Sequence, residues 1–221
     1  MVRTLFDVGD KLLVSSDRSA GLLNIENDIR ISRILYCLLR HMNENDRFEL
    51  LMRSIVEGRA ISTIVHEVAI FGQEQGKYGA NPSTAPNEIT VSKEHLAELE
   101  LSALQKIRDF AAQGTLLQAP NFLGPAYRWL DWGGEPEVKE WVRTVTETRE
   151  GLVLYLARII VPTLSTEATK YDLDSTFVKL LEPSRVVDRV KGLSDDTSLS
   201  DKERLAVQAF LNKYGKSDAA V

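Results

Sequence analysis

SKEHLAELELSALQKIRDFAAQG, residues 92–114, is the stretch whose period decides the fold. Leu96, Leu99, Ala103, Ile107 and Phe110 recur at three- and four-residue steps, which puts them on one side of an α-helix. Ser92 stands where an N-cap hydroxyl takes up an orphaned amide, and Gly114 where a helix stops. The spacing predicts a helix from Ser92 to Gln113 with its apolar stripe facing inward.

The same period runs upstream. From Asn24 to Met42, residues Ile25, Ile29, Ser32, Leu35, Tyr36 and Leu39 form a stripe, with Arg30, Arg33 and Arg40 away from it. Cys37 falls within this apolar helix and is expected on or near its buried side. The turn formers Asn43 to Asp46 lead into a second helix, with Phe48, Leu51, Met52 and Ile55 on one face. Gly58 suits a left-handed C-cap there. A third helix covers Ile61 to Gln75 through Ile64, Val65, Val68 and Phe71. GKYGANPSTAPN, residues 76–87, has two glycines and two prolines, which favour a loop.

Downstream, Leu116 to Pro120 is a connector, and Asn121 to Trp132 a short helix expected to bend near Gly124 and Pro125 and to end at Gly133 and Gly134. Pro136 fits the first turn of the next helix, where its missing N–H costs nothing. That helix carries Val138, Trp141, Val142 and Val145, and the pattern extends it through Gly151 to Ile160, before Pro162. Leu173–Leu181 and Ser184–Lys191 read as short helices. Ser200 and Glu203 have capping-box spacing, ahead of a buried face of Leu205, Ala206, Ala209 and Phe210 and a stop at Gly215. No segment alternates over a strand's length between hairpin turns. The expectation is an all-α, irregular multi-helix bundle of about 8–10 helices without significant sheet. It forms one domain over 1–215, with a sub-boundary at the 76–91 loop and a disordered tail at 216–221.

Composition narrows the function. Among 221 residues, 27 Lys and Arg face 32 Asp and Glu, giving a net charge of -5. Nucleic acid is therefore disfavoured, because phosphate binding needs a positive field. The greasiest run, Leu152 to Val161, is too short to span a bilayer and is interrupted by Arg158. A single cysteine and an N-terminus without an apolar signal core suit the cytoplasm.

No catalytic, metal or cofactor constellation is legible. His66-Glu67 begins H-E-x-x-H, but Ile70 takes the second histidine's place. Asp172, Asp174, Asp195 and Asp196 lack the glycine and closing glutamate of a calcium loop. Gly9-Asp10-Lys11 and Gly76-Lys77 lack the frame of a phosphate-binding loop. An acid–base enzyme would have to use Asp131 or Glu135 beside the tryptophans.

Tyr127, Trp129, Trp132 and Trp141 are the distinctive group, since all three tryptophans of the chain fall within it. Large rings anchor packing junctions and protein interfaces alike, so both readings stand. Arg33 and Arg40, seven residues apart, share a helix face that is either solvated or set against an acidic partner. These six are the candidate interaction residues.

The order of features carries a resemblance. Leu5 to Leu13, Arg33 to Arg40, Asn45 to Met52, Ile61 to Gln75, Leu116 to Pro120, Tyr127 to Trp132 and Leu199 to Ala206 together resemble the helical C-terminal region of bacterial KAP-type P-loop NTPases. The resemblance spans roughly Leu5 to Tyr214 and excludes the Walker motifs, so it transfers no catalytic residue. It implies a non-catalytic sensor, oligomerisation or regulatory module whose partner is a P-loop ATPase core or another copy of itself, with anti-phage defence as its setting. The alternative is a stand-alone regulatory protein, phage-borne, that binds a host complex.

Overall fold

A computed structural model describes residues 7–9, 11, 25–74, 91–119, 122–160 and 176–215. The fold is all-α, and no strand occurs among the described residues. In chain order the helices are α1 (Ile25–Arg40), α2 (Glu44–Glu57), α3 (Ile61–Glu74), α4 (Lys93–Ala112) and α5 (Leu123–Asp131), with a 3-10 turn at Leu116–Gln118. There follow α6 (Glu135–Val145), α7 (Arg149–Ile159), α8 (Thr176–Leu180), α9 (Pro183–Lys191) and α10 (Asp201–Tyr214). The chain divides into two compact units, Met1–Gly133 and Gly134–Val221. Most of the 76–91 loop, Pro162 and the 216–221 tail lie outside the described residues.

In the first unit α3 is central and packs against α1, α2, α4 and α5. Its sequence fits that place, because Ile61, Ile64, Val65, Val68, Ala69 and Phe71 are all buried, more than one stripe allows. α2 and α4 lie side by side in the same direction. At their starts Glu44 accepts the Ser92 amide at 2.7 Å, and at their ends Lys106 donates to the Val56 carbonyl at 2.7 Å. Ser92 caps α4 by accepting the His95 amide, as expected, and Gly58 closes α2 at φ 70. The inward face of α2 is rotated from the expected one: Leu50, Leu51, Ser54 and Ile55 are buried, while Phe48 and Met52 are half-buried. Arg47 is drawn into that face because its Nε donates to the Met42 carbonyl at 3.1 Å.

α5 has no break at Gly124 and Pro125, since Pro125 lies in the first turn, where no intrahelical N–H is needed. Val138 to Ile160 is two helices rather than one, because the chain turns at Thr146 to Thr148 and Thr148 caps α7 by accepting the Gly151 amide at 3.0 Å. Pro183 opens α9 rather than merely stopping the helix before it.

In the second unit α7 packs on α6 and α10, and α9 on α10. Tyr155 is fully buried there, its hydroxyl donating to the Phe177 carbonyl at 2.9 Å. The Ser200–Glu203 capping box is formed in full. Leu205, expected inside, is exposed, and Val207 takes the buried position.

Candidate functional site

The expected interaction residues occupy three helices. On α5, Tyr127 points outward and is 38% exposed, whereas Trp129 on the same helix is buried. Trp132 sits half-buried at the C-cap, its amide donating to the Arg128 carbonyl at 2.9 Å. Arg128 holds Asp131 at 2.7 Å, so that acid, a candidate for acid–base work, is ion-paired. Trp141 belongs to the second unit, where it is buried with its ring edge-on to Tyr155 at 6.4 Å between centroids. Among the four aromatic candidates, Tyr127 and Trp132 therefore present surface, and Trp129 and Trp141 are packed inside.

Arg33 and Arg40 both project from the outer face of α1. Leu35 and Leu39 turn inward between them, which follows from the 3.6-residue period. Cys37, halfway between the arginines, is exposed, against the expected inward position. Leu35 and Leu39 of the expected stripe are buried, and Met42, just past the helix end, is buried with them. Ile34 is also exposed, at 48%, and adds an apolar edge beside the two arginines.

A polar node that the sequence did not reveal joins α2 to α4. Glu44 accepts both the Ser92 amide and a contact from His95 Nδ1 at 2.9 Å, and the imidazole stacks on Phe48 at 4.1 Å. The Ser92 amide and the His95 side chain hold the Glu44 carboxyl below its usual range. A carboxylate-oriented imidazole is half of a catalytic arrangement, but no nucleophile is seen on its second nitrogen among the described residues. The node ties two helix starts together. Its partners are 48 and 51 residues apart, beyond any local motif.

His66 and Glu67, adjacent on α3, point about 100° apart, one exposed and the other buried. Partial desolvation and the nearby Arg128 charge lower the His66 pKa. Among the described residues no group of three His, Cys, Asp or Glu is placed to hold a metal ion, and no helix is long and apolar enough to cross a membrane. The described surface carries charged and apolar helix faces.

No known protein family profile matches the chain, and no solved structure matches it. The chain is similar to the protein named phage T7 exclusion protein from Escherichia coli strain K12, 28% identical over 147 residues. The match takes in 65% of this chain and 20% of that protein, so the chain spans about a fifth of the length of this curated relative.

Proposed function

We propose that this chain is a non-catalytic helical module, for sensing, oligomerisation or regulation, of a larger P-loop ATPase that acts in phage exclusion. The observation that carries the reading is the 147-residue similarity to a fifth of a phage T7 exclusion protein. A region of this size matched inside a much longer protein is the pattern of a domain that works with others. The exposed α1 face, Tyr127 and Trp132 offer surface for that work, and the resemblance to the helical region of KAP-type NTPases suggests the partner class. In this reading the module acts in the cytoplasm, where phage DNA and the host machinery meet, and its partner is the ATPase core or a second copy.

The test is a T7 challenge of cells expressing the natural product that carries this region. Efficiency of plating should fall at least about tenfold, the effect of a binding-energy change near 1.4 kcal/mol if occupancy sets protection. Replacing Arg33 and Arg40 by glutamate should restore plating. Undiminished plating with the intact product would overturn the exclusion reading. Protection that survives deletion of the region would overturn its role as a working module.

A further inference from the structure

Two outward helix faces of the first unit are complementary in charge, size and spacing. On α1, Arg33, Ile34, Cys37 and Arg40 lie within two turns. On α4, Glu94, Ala97, Glu98 and Leu101 lie within two turns and face away from the buried Leu96, Leu99 and Ala103. Leu101 is 67% exposed, the most open large apolar side chain described. No ion pair among the described residues engages Arg33, Arg40, Glu94 or Glu98. One face is basic with an isoleucine at its edge, and the other is acidic around a leucine.

We infer that the outer face of α1 in one copy of the chain docks antiparallel on the outer face of α4 in a second copy. In the register that sets Cys37 against Ala97, Arg40 stands opposite Glu94 and Arg33 opposite Leu101. Glu98 then falls between the levels of Arg33 and Arg40, about one turn (~5 Å) along the axis from each. Ile34 comes level with the leucine side of the α4 face, which closes the apolar contact. The two smallest side chains meet at the crossing point, which lets the helix axes approach to the ~8 Å lower end of helix packing. Pairing α1 with α1 would instead set arginines against arginines, and pairing α4 with α4 would set glutamates against glutamates. The contact is therefore between unlike faces, repeated from copy to copy.

This inference rests on reading the α1 face as an interaction surface, and its test separates the two. Sedimentation of the full chain should show concentration-dependent self-association. R33E/R40E alone and E94K/E98K alone should each weaken association at least about tenfold, because each sets like charges against each other. An equimolar mixture of the two variants should re-associate, and so should the chain carrying all four substitutions. In A97C, oxidised glutathione should accept two electrons and link the introduced thiol to Cys37 of a neighbouring copy, since small-residue crossings bring Cα atoms within the ~7 Å a disulfide requires. A wild-type chain that stays monomeric up to about 0.1 mM, the range of weak specific contacts, would overturn the inference. So would E94K/E98K associating as well as wild type. Loss of phage protection in R33E/R40E with a monomeric wild type would sink self-docking yet leave the α1 face as the site of another partner.

Discussion

A β-carbon at Gly58 would stand 3.0 Å from the Phe110 ring, in a residue held at φ 70. Two separate costs therefore meet at one position. The left-handed conformation disfavours any L side chain, and the ring of α4 leaves little room for one. Gly58→Ala should destabilise the first unit by about 1–2 kcal/mol, read as a lowered denaturant midpoint with unchanged slope. A neutral substitution would show that the end of α2 can relax away from Phe110. Cys37 is placed by periodicity rather than by its neighbours. Its neighbours in sequence are apolar, yet helical periodicity turns Leu35 and Leu39 inward and leaves the thiol outside with Arg33 and Arg40. Averaging over a hydrophobic run hides a face that counting by turns reveals.

Helix ends built from local chemistry were legible, and those built from distant contacts were not. Ser92, Gly58 and the Ser200–Glu203 box act within a few residues, so the sequence marks them directly. The break between α6 and α7 is different. Its Thr146 hydroxyl folds back on the Val142 carbonyl at 2.7 Å, while Arg189 donates to the Thr146 and Glu147 carbonyls at 2.7 and 2.9 Å from more than forty residues away. Apolar spacing on both sides continues as if the helix were whole, and nothing local announces the guanidinium that satisfies the exposed carbonyls. The same limit applies to the Glu44–His95 tie and to which tryptophans face solvent. Thr148→Ala removes the hydroxyl that caps α7 and should cost about 1 kcal/mol. Gly151→Ala should cost more, since its β-carbon would fall 1.8 Å from the Val145 carbonyl oxygen and force the turn open. Equal, small effects from the two would mean that the turn is loosely held. Thermal unfolding followed by circular dichroism distinguishes these outcomes.

At the level of the whole molecule, the Gly134–Val221 unit should respond to acid through several depressed surface carboxylates. Asp196 is lowered from 3.8 to about 2 by the Ser198 hydroxyl, by Arg149 and by the Ser198 amide. Glu140, Glu182 and Glu203 in the same unit are also held below their usual range, through Arg143, Lys139 and the Ser200 cap in turn. In the first unit Glu44 is shifted in the same direction. A depressed carboxylate stabilises the folded state fully above its unfolded pKa and loses that contribution as pH falls through the folded value. The stabilisation from Asp196 should thus be complete at neutral pH and fade between about pH 4 and pH 2. Asp196→Asn should lower the melting temperature at pH 7, and the gap to wild type should narrow towards pH 2, where the native aspartate is itself about half protonated. Because these groups are at the surface, added salt should narrow the gap at pH 7 without removing the part that comes from Ser198 hydrogen bonds. A gap that stays constant from pH 7 to pH 2 would mean that the asparagine disturbs packing and that the Arg149–Asp196–Ser198 node is not the acid-sensitive element.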